Sequence, residues 1–386
     1  MSVVTEMKIP FRSPTIVDDQ DKYISAFLSN PLVQMEQLYS NKCIDWLKRL
    51  YPTEIYMTKS CTQALELTGQ LLNIESGDEV ILPSFGFVSI ANAFVLRGAR
   101  CRFVDIREDN MNINEMLIES AITPKTRAII TLNYAGVGCN YDTIRSIAHK
   151  YNLTVIEDNA HGILAKYKGK YLGSFGDIST ISFDNLKNIT CGQGGAIVFN
   201  NDSFDEQARI CYEFGTNKMD LLQGKVDRYE WKGLGSNYHL SELLSAFLLA
   251  QLESSSHVIK TFKAKWDMYD ELLSPLSNEN IIRMPSIDPD CDHNAHLFYF
   301  FTKSTEKRKE LIDYLMQKGI VTTFHFTPLH SSDFGRKNGT FCGKDIYTTI
   351  LSETLLRLPL YYSLKEEEII YVVKNIYDFY GVDFRP

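Results

Sequence analysis

The sequence predicts an α/β fold with a mainly parallel sheet flanked by helices, followed by a smaller α+β C-terminal domain. Strand-like and helix-like segments alternate regularly from Gly77 to Asp158, and shorter β-like segments bounded by glycine follow Asp158. The last third of the chain mixes strand-like and helical runs. A chain of 386 residues favours two domains, which we predict at residues 1–250 and 251–386.

An N-terminal arm is predicted to precede the sheet. Residues 9–14 read as extended, and helical spacing of apolar residues follows at 23–28 and 43–50. Next, the β-like run EIYMT leads through small polar residues into the apolar helix CTQALELTGQLL. A strand that enters a helix in this way leaves backbone N–H groups free at the start of the helix.

The alternating part of the chain is the best-defined segment. The predicted strands are GDEVILPS, ARCRFVDI, RAIITLNYAG and LTVIED, and the helices between them are VSIANAFVLRG, NEMLIESAI and TIRSIAHKYN. Apolar strands connected by helices are typical of a parallel sheet covered on both faces. We therefore expect these strands to be buried.

The remaining segments are shorter or less regular. The β-like runs YKGKYLG, ISTISF and GGAIVF precede the predicted helix SFDEQARICYEFG, and residues 216–236 have little pattern. One long helical run over 240–272 is predicted to connect the two domains. The C-terminal domain is predicted from AHLFYFFTK, the helix RKELIDYLMQKG, the strand VTTFHF and the closing helix EEEIIYVVKNIYDFY.

Composition excludes several classes of protein. The net charge of −8 and the lack of a long Lys/Arg cluster argue against a nucleic-acid-binding protein. No run approaches the roughly 20 apolar residues that span a bilayer, and no signal peptide is evident, so we expect a cytoplasmic protein with no membrane partner. The eight cysteines form no C-x-x-C pair, which favours reduced thiols and no metal site.

An acid and an amine follow two of the predicted strands. Asp158 ends LTVIED, and Lys187 lies just beyond ISTISF. Ligands collect at the carboxyl ends of parallel strands, and the helix N-terminus at Thr62 and Gln63 suits a phosphate. Each signal has an ordinary alternative: a solvated lysine, a turn-capping aspartate, and a simple Ser/Thr helix cap. The residues alone leave these alternatives open.

Ordered motifs over nearly the whole chain, from about Ile9 to about Tyr380, carry a resemblance to a known family. They are SGDEVILPSFGFVSIANAF, VIEDNAHG, YKGKYLGSFGD, SFDNLKN, CGQGGAIV, SNYHLSEL and LPLYY. The chain resembles the DegT/StrS sugar-nucleotide aminotransferases, which are fold type I enzymes that use pyridoxal 5′-phosphate. The resemblance implies that fold, that cofactor and a transaminase activity.

The resemblance also implies roles for individual residues. Lys187 is the lysine that binds the cofactor aldehyde and acts as the catalytic base, and Asp158 is the partner of the pyridine nitrogen. The ring of Phe87 stacks on the cofactor, although a core aromatic residue is the alternative. Further cofactor contacts are implied for the backbone of Thr62 and Gln63, the hydroxyl of Ser182 and the side chain of His161.

Other implied contacts concern the partner subunit and the substrate. Asn237 matches an asparagine that reaches the cofactor phosphate of the neighbouring subunit, which implies a homodimer with shared active sites. A turn asparagine is the alternative. Asn185, His325 and His330 are candidate substrate contacts, whereas a histidine in a β-like run also fits a structural role.

The implied reaction is transfer of the amino group of L-glutamate to C4 of a dTDP-linked 4-keto-6-deoxyglucose, for surface polysaccharide synthesis. The stretches PSFGFVSIANAFVLRGA, DTIRSIAHKYNL and GKVDRYEW support this substrate. Amination at C3, a UDP- or GDP-linked sugar, and a sensor that retains the fold without turnover are the alternatives. Lys187 disfavours the related dehydratases, which carry histidine there.

The sequence departs from the family pattern at a small set of positions. We expect these departures to lie on the sugar side of the pocket, where they alter specificity and leave the cofactor site intact. The positions are Asn133, Asn159, Asp184, Asn185, Leu186 and Gln193.

Overall fold

The structure is a computed structural model that describes residues 9–30 and 37–384. Its thirteen strands in the described part are β1 Glu54–Thr58, β2 Glu79–Pro83, β3 Arg100–Val104, β4 Thr126–Leu132, β5 Thr154–Asp158, β6 Lys166–Tyr167, β7 Lys170–Tyr171, β8 Ile178–Ser182, β9 Gly195–Phe199, β10 Cys291–Asp292, β11 Phe298–Phe301, β12 Gly339–Phe341 and β13 Leu355–Leu358. Three separate sheets contain them.

The helices surround the largest sheet and the C-terminal segment. Those described are α1 Gln20–Ser29, α2 Leu38–Leu47, α3 Cys61–Leu71, α4 Ser89–Val95, α5 Glu115–Ala121, α6 Tyr141–Tyr151, α7 Asp205–Tyr212, α8 Lys218–Leu222, α9 Glu242–Glu253, α10 Ser255–Asn278, α11 Thr305–Gln317, α12 Asp333–Asn338, α13 Thr348–Thr354 and α14 Glu366–Tyr380. Within residues 9–30 and 37–384, no helix is both long and apolar enough to cross a membrane.

The main sheet has eight strands in the order β1-β9-β8-β5-β4-β2-β3-β12. The strands from β8 to β12 in that order pair in parallel, and β9 pairs antiparallel with both β8 and β1. The central strands are buried, as expected for apolar strands covered on both faces. The predicted mainly parallel fold is therefore confirmed.

The parallel pairing gathers several chain turns at one edge of the sheet. β2, β4, β5 and β8 all end there, at Pro83, Leu132, Asp158 and Ser182. Because these strands are neighbours or near neighbours, the segments that follow them converge on one region. The candidate site lies at this edge.

The C-terminal segment forms an α+β unit around the antiparallel pair β11 and β13. Helices α11, α13 and α14 belong to the same segment, and α11 and α14 pack against each other. Strand β12 also comes from beyond residue 250, yet it pairs with β3 and extends the main sheet. The division at residue 250 stays a prediction.

Two predicted elements are wrong in detail. The run VTTFHF forms a single bridge, Thr323 with Arg357, because the chain then turns away and carries His325 and Phe326 towards the sheet edge. The long helical run over 240–272 is two helices, α9 and α10, that meet at Ser254. Three consecutive serines occupy this break, and serine favours helix ends over helix interiors.

Candidate active site

Asp158 is the last residue of β5, and its side chain is 5% exposed. One carboxylate oxygen, Oδ1, accepts a hydrogen bond of 3.0 Å from the backbone N–H of Ala160. Burial raises the pKa of Asp158 to about 6, while that N–H group and the charge of Lys187 oppose the rise. The carboxylate is ionised at neutral pH, and a cationic ligand would stabilise it further.

Lys187 lies in the turn that follows β8, and its charge acts on Asp158. The backbone N–H of Lys187 donates to the carbonyl oxygen of Asp184 at 2.9 Å, which closes the turn, and the side chain is half-buried. Burial lowers the pKa of Lys187 to about 8, against the opposing effects of Cys61, Asp158 and Asp184. A substantial fraction of the amine is therefore neutral near pH 8, as a nucleophile or a base requires.

The start of α3 lies beside the Asp158 carboxylate. Cys61, the first residue of α3, places its Sγ 4.0 Å from Asp158 Oδ1 and 3.5 Å from Thr180 Oγ1. The approach is close because Gly195 of β9 has no side chain: a Cβ there would lie 2.5 Å from the backbone of Ser60 and Cys61. The N-terminus of the helix thus points into the region between Asp158 and Lys187.

The predicted phosphate contacts lie at this helix start, with one modification. Ser60 is the N-cap, and its Oγ accepts the backbone N–H of Gln63 at 3.2 Å. The N–H of Gln63 is therefore capped by Ser60, as the alternative interpretation predicts. The N–H of Thr62, also in the first turn, has no intrahelical carbonyl as a partner. Ser182 ends β8 nearby and is buried, and its Oγ accepts the N–H of Asp184 at 3.4 Å.

Phe87 belongs to the loop between β2 and α4, and its ring is 60% exposed. The core-aromatic alternative is therefore wrong. The nearest aromatic neighbour is Phe326, with ring centroids 6.5 Å apart. An exposed ring at the carboxyl edge of a sheet leaves a face free for a planar ligand.

Three imidazoles form a cluster next to Lys187. His161 and His296 stack with centroids 4.2 Å apart, and His325 lies 6.2 Å from His161 at an interplanar angle of 16°. Burial lowers the pKa of all three imidazoles, and the charge of Lys187 lowers it further. They are neutral at physiological pH and act as hydrogen-bonding groups rather than as cations.

His296 and two arginines were missed by the sequence analysis. Arg12 lies in the N-terminal arm and donates to the carbonyl oxygens of Leu360 and His296, while Arg357 donates to Nε2 of His325. An arginine inside the apolar run LLRLPL was a usable signal, because buried charges are rare unless they have a function or a partner. His296 gave no comparable signal.

Two other predicted contacts lie outside this cluster. His330 is bonded through both ring nitrogens: Nδ1 lies 2.7 Å from Ser84 Oγ, and Nε2 lies 3.2 Å from an oxygen of Asp345. This arrangement supports the structural alternative for His330. Asn237 is exposed and lines a cavity of about 940 Å³ beside β1 that Lys187 does not line.

The expectation that Asn133 and Asn159 lie on the sugar side is wrong. Both are buried beneath the edge, where Asn133 Nδ2 donates to Glu157 Oε1 at 2.9 Å and to Asn159 Oδ1 at 3.0 Å. The phenol of Tyr141 donates to Asn133 Oδ1 at 2.7 Å. Alternation along β5 explains the error, since Glu157 and Asp158 point to opposite faces of the sheet.

The remaining departures surround the mouth of the site. Asn185, Leu186 and Gln193 are exposed, and Asp184 is half-buried beside Lys187. The role of Asn185 as a substrate contact therefore stays a prediction. An effect on sugar specificity stays a prediction for these four residues.

Comparison with known proteins agrees with this geometry. Residues 53–377 match the model of the DegT/DnrJ/EryC1/StrS aminotransferase family. The chain belongs to this aminotransferase family. A curated relative, GDP-perosamine synthase of Escherichia coli O157:H7, is 30% identical over 378 residues, which cover 97% of this chain and 99% of the relative.

Solved structures of the family share the fold. The aminotransferase TlmJ from Streptoalloteichus hindustanus has a TM-score of 0.86 at 22% identity, and covers 97% of this chain and 99% of its own. A Streptococcus pneumoniae protein described as the sugar aminotransferase Spr1654, in its PLP form, also has a TM-score of 0.86 at 22% identity, with coverage of 97% and 98%. The fold type I assignment is thereby confirmed.

Family membership makes the protein a transaminase and confirms pyridoxal phosphate as its cofactor. The residues present fit this group. An acid for the ring nitrogen and an amine for the aldehyde interact through their charges, an exposed aromatic ring is available to stack, and the start of α3 offers the N–H of Thr62 to a phosphate. The individual residue roles remain predictions.

Proposed function

We propose that this aminotransferase moves the amino group of L-glutamate to C4 of a nucleotide-linked 4-keto-6-deoxysugar. The specific reaction is conversion of dTDP-4-keto-6-deoxy-D-glucose to dTDP-4-amino-4,6-dideoxy-D-galactose, for surface polysaccharide synthesis. This is the reaction of dTDP-4-amino-4,6-dideoxygalactose transaminase. The mutual charge interaction of Lys187 and Asp158 at the carboxyl edge of the sheet is the observation that carries the transamination chemistry.

The chain's own groups would divide the work as follows. Pyridoxal phosphate, when bound, supplies an electron sink for the carbanion at the carbon that loses its proton. With its buried carboxylate, Asp158 would hold a proton on the pyridine nitrogen. Thr62 and Ser182 bind the phosphate, Phe87 covers one ring face, and the N–H of Gln63 stays with Ser60 unless the phosphate displaces that hydroxyl.

Lys187 Nζ is the base in both halves of the reaction. With pyridoxal phosphate and glutamate bound, the neutral Nζ of Lys187 would take the proton from Cα of glutamate and hold it for return to the cofactor side. In the second half it carries the proton in the opposite direction, onto C4 of the sugar. The lowered pKa of about 8 keeps part of the amine neutral near physiological pH, as this role needs.

A GDP-linked sugar is the second candidate substrate. The relative that matches 97% of this chain is a GDP-perosamine synthase, and its name supports a GDP-linked sugar as the alternative. The residues at the site mouth, Asp184, Asn185, Leu186 and Gln193, are those we propose to discriminate between sugars, because they are exposed or half-buried next to Lys187.

Two experiments test these proposals separately. Borohydride reduction of the cofactor-loaded protein, followed by peptide mapping, should place the pyridoxyl label on Lys187, with Lys187→Ala as control. A label on another lysine would end the mechanism. Glutamate and a panel of dTDP-, UDP- and GDP-linked 4-keto and 3-keto sugars then identify the substrate, and no product from the dTDP-4-keto sugar would reject that assignment alone.

The shared-site homodimer remains a proposal, and Asn237 offers its test. Lys187→Ala and Asn237→Ala chains, each of low activity, are mixed under conditions that exchange subunits. If Asn237 serves the partner's site, each heterodimer regains one intact site, and about a quarter of wild-type activity returns. No recovery would show that Asn237 acts within its own chain or not at all.

A further inference from the structure

Two arginines lie beside the imidazole cluster of the candidate site. Arg12 comes from the N-terminal arm, and Arg357 comes from β13. The guanidinium of Arg357 lies over the ring of Phe11, 4.6 Å from its centroid, and its charge acts on Arg12, the next residue of the arm. Two like charges held together disfavour the fold unless an anion joins them.

The protein provides no such anion within residues 9–30 and 37–384. Neither arginine forms an ion pair with a carboxylate of that part of the chain: Arg12 donates to two backbone carbonyls, and Arg357 donates to an imidazole. Arg357 is 6% exposed, and its buried Nε–H has no hydrogen-bond partner among the described groups. A buried guanidinium with an unmet donor is a candidate for ligand binding.

The neighbouring imidazole orients Arg357 without neutralising it. Arg357 donates to His325 Nε2, so His325 carries its proton on Nδ1 and donates it to the hydroxyl of Tyr134 at 3.2 Å. The assignment of this tautomer follows from the fact that guanidinium has no acceptor. A neutral His325 leaves the positive charge of Arg357 available to a ligand.

The arginines lie within electrostatic reach of the groups that surround Lys187. Arg12, Arg357 and Lys187 all act on His161, on His296 and on His325. An anion bound between the arginines is therefore close to the reacting amine. An amino acid donor carries a carboxylate one carbon from its amino group, whereas a sugar nucleotide has its diphosphate on the far side of the sugar ring.

We propose that Arg357 and Arg12 bind a carboxylate of the amino donor. Arg357 contributes a planar pair of N–H donors that matches a carboxylate, and Arg12 adds charge from the arm. The diphosphate of the sugar is assigned to the exposed mouth near Asn185 and Gln193, away from the buried arginines. This proposal rests on the proposed function, because it presupposes a dicarboxylate amino donor.

The test measures a donor-like anion and the two half-reactions separately. Glutarate, which has both carboxylates of glutamate and no amine, is titrated into the cofactor-loaded protein by calorimetry. Arg357→Met should weaken glutarate binding by about tenfold or more and raise the half-saturating glutamate concentration similarly, because a charge-assisted pair is lost. The half-saturating sugar-nucleotide concentration in the second half-reaction should change less than about twofold.

Matched variants control for damage to the fold. Arg308 is half-buried, donates to the carbonyl oxygen of Ser352 at 2.7 Å and stacks on Phe324, so Arg308→Met removes a comparable guanidinium outside the site. This control should bind glutarate like wild type. Arg357→Lys keeps the charge without the planar fork and should fall between wild type and Arg357→Met.

Three results would overturn the inference: wild type that does not bind glutarate, Arg357→Met that binds it normally, or an effect confined to the sugar nucleotide. The last would assign the arginines to the diphosphate. Because glutarate binding needs no keto sugar, a wrong sugar in the proposed function leaves this test intact. Failure of the borohydride experiment, by contrast, would reject the transamination site while glutarate binding was still measurable.

Discussion

Glu157→Gln is the variant that most directly tests the buried network behind the active site. Glu157 is fully buried and its two oxygens accept five hydrogen bonds. Oε1 accepts from Asn133 Nδ2 at 2.9 Å and from the N–H of Gly173 at 2.6 Å. Oε2 accepts from the N–H groups of Phe175 and Gly176 and from the hydroxyl of Ser179, at 2.9 to 3.0 Å.

Glutamine keeps the shape of the side chain but turns one acceptor oxygen into a donor. In the less damaging orientation, the amide nitrogen replaces Oε1 and leaves Asn133 and Gly173 as two unsatisfied buried donors. Each such donor costs about 1–3 kcal/mol, so the free energy of unfolding should fall by about 2–6 kcal/mol. Loss of the carboxylate charge weakens the three remaining hydrogen bonds as well.

The assay is urea unfolding of the cofactor-free protein followed by circular dichroism, since bound cofactor adds its own stabilisation. Glu119→Gln is the matched control, because Glu119 is exposed and pairs with Lys150 at the surface. Its unfolding midpoint should stay near wild type. If Glu157→Gln unfolds at the same midpoint as Glu119→Gln, the network is not a structural hub and the reassignment of Asn133 and Asn159 fails.

Three further predictions use the same protein. Asp158→Asn should stabilise the cofactor-free protein at pH 7 by about 3 kcal/mol. Burial raises the pKa of Asp158 from 3.8 in the unfolded chain to about 6, so the wild type loses stability as the pH rises from 3.8 through 6 and the carboxyl group ionises. In urea melts from pH 4 to 8, the stability of the variant should depend less on pH than that of wild type, and an unchanged slope would contradict the burial argument. Phe87→Ala should leave the unfolding midpoint unchanged yet weaken cofactor binding severalfold, because an exposed ring contributes only through about 0.5–1.5 kcal/mol of stacking on the cofactor. If an equilibrium titration gave the same cofactor affinity for variant and wild type, Phe87 would not belong to the site. His330→Ala should lower the free energy of unfolding by about 1–3 kcal/mol, because the contacts with Ser84 and Asp345 are lost. The KM for the sugar nucleotide should not change, and a raised KM would show that His330 contacts the substrate.

The sequence predicted the sheet well, for a local reason. The spacing of apolar residues along a segment indicates whether the segment is a buried strand or an amphipathic helix. This spacing can be seen in the sequence without knowledge of any tertiary contact. The positions of Asp158 and Lys187 after strands then followed from the parallel topology. By contrast, the predictions of a strand at VTTFHF and of one continuous helix over 240–272 were wrong. The turn after Thr323 depends on tertiary packing, and the helix is interrupted at Ser254.

The site itself was predicted only in part. Residues that follow strands, such as Asp158, Ser182 and Phe87, were singled out because chain order fixes their edge of the sheet, and their roles stay predictions. Arg12 and Arg357 were not, since they are 345 positions apart in sequence and meet only after the arm packs on β13. Contacts between such distant segments leave no periodic signal.

By itself, therefore, the sequence determined the fold class and the edge of the sheet at which Asp158 and Lys187 follow their strands. Only the tertiary structure decided that Asn133 and Asn159 support Glu157 rather than a sugar, that His330 is held by Ser84 and Asp345, and that two arginines with no ion pair within residues 9–30 and 37–384 lie beside the histidine cluster. The physical reason is that periodicity specifies which face of an element is buried, whereas the identity of its neighbours across that face arises from folding.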